Sequence, residues 1–202
     1  MAEQMLKRLV FRIDDARDYR LRERGILFID EEVDVNAYHN FCRDLIYVGE
    51  FSLAEQRPIW IVLNSPGGDV HHGIGMYDAI QLLIGKGVVV NVLGMGVVAS
   101  MASVIMQAGV RRFTAATTQF LVHQVSNSIF FKTEEVNEAE ERAEEMKRIN
   151  RIVVNIIAQR TGIDLEELLA KTRKKDFWLD AERAKTLGTN GLIDEIITAL
   201  PF

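Results

Sequence analysis

Ser100 is the first residue in this chain whose type and setting could do chemistry. It sits in Ala99-Ser100-Met101, inside the uncharged stretch GVVVNVLGMGVVASMASVIMQAGV that runs from Gly87 to Val110. A strand, then the glycines of Gly94-Met95-Gly96, then a helix is the layout that presents a nucleophile on a turn. The Met101 N–H would lie beside the hydroxyl, at the positive end of the helix. The plainer reading is a serine that only caps its helix. Ser103, one turn on, reads as a small packing residue. The second element is Asn64-Ser65-Pro66-Gly67-Gly68. Two glycines between a strand and a helix let backbone N–H groups face a ligand with no Cβ in the way. Such groups could hold a phosphate or the oxyanion of a tetrahedral intermediate. A plain tight turn fits the same residues.

A serine nucleophile needs a base, and the chain has four histidines. His39 falls on a helix surface. His71 and His72 follow the glycine turn and could lie near the site. Their adjacency is not the i, i+4 spacing that puts two metal ligands on one helix face. His123 ends the apolar run Phe120-Leu121-Val122, where packed walls would orient its ring, and is the best base. A buried structural histidine is the bland alternative. The acid that orients the imidazole could be Asp176 or Asp180. Asp176 follows Arg173-Lys174-Lys175 and precedes Phe177-Trp178-Leu179, which reads as a core anchor. Asp180 has a helix-capping role, which favours Asp176 modestly.

The elements that must hold these residues alternate in type. Ile26–Ile29, Ile59–Leu63, Val88–Leu93 and Gln119–Val122 read as strands, the central ones apolar on both faces. Asn36–Phe51, Met76–Ile84 and Ser100–Ala108 read as helices. Thr133–Arg160 is a longer one, capped by Thr133 and stopped by Gly162. Its first half is polar all round, and its second half carries a stripe at Ile149, Ile152, Val153, Ile156 and Ile157. Asp164-Leu165-Glu166-Glu167 is a capping box, and Asp180 opens a last helix that ends at Gly188. This pattern predicts an α/β fold with mostly parallel strands.

Composition narrows the function. The chain has 202 residues, 48% hydrophobic and 26% charged, as expected of one globular domain. A net charge of −5 argues against nucleic acid as partner. A single cysteine, Cys42, rules out an internal disulfide or a multi-cysteine zinc site and fits a cytoplasmic setting. No signal peptide is legible at the N-terminus. No GxxxxGK[ST] loop occurs, so the chain is not expected to hydrolyse nucleotides itself. Gly87–Val110 has the length of a membrane span. Asn91, Gln107 and four glycines make it a poor one.

Taken together, the motifs resemble the proteolytic subunit of the Clp (caseinolytic) protease, from about Asp18 to Ile197. Asp18-Tyr19-Arg20-Leu21 with Glu23-Arg24 echoes the family's entry to its first strand. Asn64–Gly68 matches its glycine turn, and Gly73 with Met76-Tyr77-Asp78 the helix after it. Met95-Gly96 and Ala99-Ser100-Met101 match its serine motif, and Val122-His123-Gln124 its histidine motif. Asp176–Leu179 and Gly191-Leu192-Ile193-Asp194 match its C-terminal signature. The resemblance implies a crotonase-like α/β fold of repeated ββα units, in one domain over 1–202, with a protruding handle at about 124–160. It implies a serine endopeptidase, an ATP-independent peptidase core that cleaves unfolded polypeptides through an acyl-enzyme. Ser100 would be the nucleophile, His123 the base and Asp176 the orienting acid. Gly68 and Met101 N–H groups would form the oxyanion hole, and Gly67, Asp69, Gln124, Val125 and Ser126 would bind substrate. No metal or cofactor is implied. Heptameric rings, stacked in pairs and served by an AAA+ unfoldase, are.

The chain also departs from the family. The apolar axial-loop segment is not recognisable in Met1–Arg17, which bears on docking to an unfoldase. Val125 stands where the family has proline after His-Gln. The glycine-rich handle strand is replaced by Ser126-Asn127-Ser128-Ile129-Phe130-Phe131, and an Asp-Arg type pair by Lys174-Lys175. Extra residues occur near Gly85-Lys86-Gly87 and Thr189-Asn190. Asp69 and Ala102-Ser103-Val104-Ile105 resemble the Clp-related head-maturation proteases of phages. The rival functions are a head-maturation protease of that kind, a crotonase-type acyl-CoA enzyme, and a structural ring subunit whose site is unused.

Overall fold

A computed structural model describes residues 13–125, 136–173 and 176–202. Helix α1 (Ile13–Glu23) leads into strand β1 (Ile26–Ile29). Helix α2 (Val35–Glu55), β2 (Ile59–Ser65), α3 (Val70–Gly85) and β3 (Val90–Ala99) follow. Then come α4 (Met101–Met106), β4 (Arg112–Ala115) and β5 (Gln119–Val122). The C-terminal part holds α5 (Val136–Thr161), α6 (Leu165–Thr172), β6 (Phe177–Leu179), α7 (Ala181–Lys185) and β7 (Glu195–Ile197).

Among the described residues the strands form one sheet in the order β1-β2-β3-β4-β7, all parallel. β5 branches from the far end of β3, also parallel to it, and β6 runs antiparallel beside β5. Ile59, Ile61 and Leu63 of β2 face the main core with Leu45, Met76, Ile105, Phe120 and Leu168. Trp60, one residue out of phase, faces the other side with Leu93 and Phe113, where Phe202 packs against its ring. Burial of both faces explains why β2 has no polar alternation.

The branch in the sheet starts from β3. Val92–Gly94 pairs with β4, whereas Val97–Ala99 pairs with β5. Between them the register against β2 slips at Leu63/Ser65. The Asn64 carboxamide fills the gap by accepting the Val97 N–H at 3.0 Å. Gly96, at φ 69°, lies so close that a Cβ there would stand 2.7 Å from Asn64 Oδ1. Thr114 and Thr118 hydroxyls donate to the Gly94 carbonyl on the other flank. Gly94-Met95-Gly96 is therefore interior strand, not the turn its glycines predict. The strand runs to Ala99, and the turn is made by Ser100 alone.

Other boundaries shift for local reasons. α3 starts at Val70 rather than Met76, because Asp69 caps it by accepting the His72 N–H. Asp164 accepts the Glu166 and Glu167 N–H groups, but Glu167 turns to Lys171, so only the forward half of the expected box forms. α7 ends at Lys185, short of Gly188. Strands β4 and β7 are not legible as apolar runs. Trp178 is 47% exposed, so Phe177 and Leu179 anchor that stretch without it. Gly162, at φ 73°, ends α5 as expected, while Thr133 and Ser126–Phe131 lie outside the described residues. Among the described residues no helix is long and apolar enough to cross a membrane, and Gly87–Val110 is strand, turn and buried helix.

β7 is held to β4 by a buried ion pair. Arg112 is 2% exposed. Its guanidinium donates to both Asp194 oxygens, to Gln107 Oε1 and to the Gly191 carbonyl, and its backbone N–H also reaches Asp194. Burial works against the Asp194 charge, but the Arg112 bonds outweigh it and hold that carboxyl below its ordinary value. A carboxylate whose folded pKa is depressed stabilises the fold above its unfolded value, about 3.9, and loses that contribution as pH falls through the folded value. Asp194→Ala leaves Arg112 buried and unpaired and should cost about 3 kcal/mol, read as a lower urea midpoint at pH 7. The deficit relative to the parent should shrink on acidification below about pH 4. A deficit that persists unchanged there would mean the pair is not its source.

Candidate active site

The end of β3 and the start of α4 present Ser100. It is one of two non-glycine residues among those described with positive φ, at φ 55° and ψ −122°. Its backbone N–H donates to the Leu121 carbonyl of β5 at 2.8 Å. Its hydroxyl makes no capping bond to α4. The plain capping reading would require that bond. α4 is buried along its whole length. Ser103 is more than filler: its hydroxyl reaches the Val98 and Leu121 carbonyls at 2.8 and 3.0 Å and ties the serine turn to both strands.

Strand pairing sets the other two residues. Ala99 pairs with Leu121, and Val122 pairs with Phe177 in the antiparallel β5–β6 ladder. Ser100 directly follows β3, His123 directly follows β5, and Asp176 directly precedes β6. The antiparallel register continued by one residue sets His123 opposite Asp176. Directly opposed residues in such a ladder put their side chains on the same face. Ser100 and His123 are half-buried and Asp176 is exposed. Among the described residues no hydrogen bond joins the three side chains.

The glycine turn closes over the serine. Gly67 has φ 89°, and a Cβ on it would fall 2.6 Å from Ser100 Cβ and 2.8 Å from the Met101 nitrogen. Gly67 O accepts the Val33 N–H and Val33 O accepts the Asp69 N–H, which pins the loop from both sides of Gly68. The Gly68 N–H, between those bonds, has no acceptor among the described residues, and neither has the Met101 N–H at the start of α4.

These groups border a cavity of about 270 Å³. Its exposed and half-exposed lining is mixed: Gly68, Asp69, His71, Ser100 and His123 with the apolar Val70, Val125 and Met146. Its depth is aliphatic, with Val104, Val122, Val153 and Ile157 all buried. Val125 lines it too and donates its N–H to Asn150 of α5 at 2.9 Å. Gln124 is exposed and does not line the cavity, and Ser126 lies outside the described residues. Of the four histidines, His71 and His123 reach the cavity. His72 instead sets Nδ1 2.9 Å from Asp69 Oδ1 and its ring against Tyr38. His39 is on the surface beside Arg43. Asp180 accepts the Arg183 N–H as a cap.

Two contributors escaped the sequence reading. Asn64 looked like part of a turn. Ile149 and Val153 of α5 read as part of an apolar stripe, yet with Met146, which the stripe did not include, they form one wall of this cavity. Burial pushes the Cys42 thiol up to about 11, so it stays protonated and is no rival nucleophile. Among the described residues no group of three or more His, Cys, Asp or Glu side chains is placed to hold a metal ion.

The Clp protease family model matches residues 12–199. The chain belongs to the Clp protease family. ATP-dependent Clp protease proteolytic subunit 2 of Treponema denticola is 30% identical over 177 residues, covering 87% of this chain and 84% of the relative. Subunit 3 of Streptomyces coelicolor is 28% identical over 194 residues, covering 94% and 82%. Among solved structures, a point mutant of ClpP1 from Listeria monocytogenes superposes with a TM-score of 0.78 at 28% identity, covering 91% of this chain and 96% of that one. The chain is thus a Clp-type serine peptidase core with the crotonase-like α/β fold of ClpP.

Gly67→Ala tests how the turn and the serine depend on each other. The added methyl cannot share space with Ser100 Cβ and must push the nucleophile or the loop aside. A displacement of that order should lower kcat/KM on a short peptide by about 10²-fold, while the far-ultraviolet circular dichroism spectrum is retained. Unchanged kcat/KM would mean the loop does not seat on Ser100.

Proposed function

We propose that this Clp-type core cuts polypeptide with Ser100 as nucleophile, His123 as general base and Asp176 as the acid that orients the imidazole. The observation that carries the reading is the serine turn itself: an uncapped hydroxyl on a left-handed residue, flanked by two N–H groups with no acceptor. Substrate lies extended beside the Gly67–Gly68 loop and Val125, through main-chain hydrogen bonds. The apolar cavity takes the side chain of the residue that donates the scissile carbonyl. Ser100 Oγ attacks the carbonyl carbon while His123 accepts its proton. The Gly68 and Met101 N–H groups receive the oxyanion, which is where preorganised donors contribute most. His123 returns the proton to the leaving amine, and water then opens the acyl-enzyme by the same route in reverse. The resting separation of the three side chains is compatible with this, because catalytic hydrogen bonds commonly tighten only when substrate is bound.

An acyl-CoA enzyme on the same fold would use the glycine turn but would leave His123 and Asp176 without a task. The names of the relatives say that those proteases are ATP-dependent. This sequence has no phosphate-binding loop, so the energy step would belong to a separate AAA+ unfoldase acting on rings of this chain in the cytoplasm. Heptameric rings, singly or in stacked pairs, are the assembly that the family resemblance implies.

Ser100→Ala should abolish fluorophosphonate labelling and reduce peptide turnover to background. Labelling that survives would remove Ser100 from the reading. Asp176→Asn should keep the fold and lower kcat by about 10⁴-fold, the cost of losing the orienting carboxylate in a serine triad. If His123→Ala turns over peptide normally, His71, the other histidine at the cavity, becomes the base. Native mass spectrometry should find seven or fourteen times the 22.9 kDa chain; a monomer would refute the ring.

A further inference from the structure

We infer that Asp69 reads the charge of the substrate residues flanking the scissile bond and selects lysine or arginine there over glutamate. The inference rests on the proposed role of Ser100, since it places substrate in the cavity that Ser100 borders. That cavity is aliphatic in its depth, so its lining below the mouth cannot distinguish charged neighbours. Asp69 directly follows Gly68, so its Cα is about 3.8 Å from that of the proposed oxyanion donor. It lines the same cavity with 47% of its side chain exposed. Its Oδ1 is occupied by the His72 N–H and lies beside His72 Nδ1. The His71 backbone N–H also acts on the carboxylate, and no side chain among the described residues other than His72 pairs with it.

The charge of Asp69 is also secure. Burial works against it, but the His72 N–H and imidazole, with His71, outweigh burial and hold the carboxyl below its ordinary value. The facing charges cancel. Across the cavity on α5, Glu145 is held by both Nε and Nη2 of Arg148 at 2.7 and 2.6 Å. Among the described residues no lysine or arginine pairs with Asp69. His71 acts on both carboxyls. Glu32 lies against Gly68 on the far side of the loop and adds to the negative charge there, but it does not line the cavity. Asp69 is therefore the carboxylate that lines the cavity without a basic partner among the described residues, at the point where the chain beside the scissile bond must pass.

The test uses two quenched fluorescent peptides with the same leucine donating the scissile carbonyl. One carries lysine on both sides of that leucine and the other glutamate. They are assayed on the full chain at pH 8, above the range in which histidine changes charge. The parent should favour the lysine peptide about fivefold in kcat/KM at low salt, the scale of one partly exposed ion pair. Salt at 1 M should erase the preference. Asp69→Asn keeps the helix cap, because asparagine caps as well as aspartate, and should bring the ratio close to one. Asp69→Lys should invert it. A ratio that Asp69→Asn does not move, or that salt does not touch, overturns the inference while fluorophosphonate labelling of Ser100 leaves the catalytic reading standing. Absence of labelling in the parent overturns both.

Discussion

The bond from the Val97 N–H to the Asn64 carboxamide is the contact on which the site depends. A parallel strand in the middle of a sheet normally keeps one neighbour on each side throughout. β3 must keep β4 for its first half and β5 for its second. Such a change of partner leaves backbone groups at the crossover without the ladder bond a strand normally makes there. Asn64 supplies the missing acceptor from a side chain, and the threonines of the β4–β5 corner supply donors to Gly94. With the crossover satisfied, the end of β3 can lie beside β5, and β5 beside β6. Three chemically active residues then fall at the ends of three adjacent strands.

Rigidity around the serine comes from buried hydrogen bonds more than from loop packing. The Ser103 hydroxyl fixes α4 to two strands, and the Val33 bridge fixes the glycine loop. The C-terminal half is fastened separately, through Arg112 and Asp194. That division places Ser100 and the Gly68 and Met101 N–H groups at the main sheet and His123 and Asp176 on its branch. The branch is the part bordered by the exposed Gln124 and Asp176, so its alignment with the serine is the looser of the two.

Much of this was legible in the amino-acid order. β1 and β5 carry strong local signals and begin and end where the sequence placed them. Ser100, His123 and the glycine turn share one cavity, as their motif spacing implied, and Asp176 lies across the branch ladder from His123. What was not legible depends on partners distant in sequence. Arg112 belongs to no apolar run, yet it starts a buried strand because Asp194 is there to receive it. Gly94 and Gly96 read as a turn, yet they are strand because Asn64 approaches from β2. The wall formed by Ile149 and Val153 was visible as an apolar stripe, but a stripe does not name the surface it covers. Each miss is tertiary context overriding a local preference.

The left-handed backbone of Ser100 also matters for what selection can reach. At φ 55° and ψ −122° any residue with a Cβ is strained, and glycine alone is at ease. The chain thus keeps at its most important position a residue that its own backbone disfavours. Drift toward glycine there would relax the fold and yield a sturdier molecule with nothing to offer a peptide bond. A descendant with glycine here would be easy to reach and easy to fold; on the proposed reading, use of the hydroxyl is what keeps the serine in place.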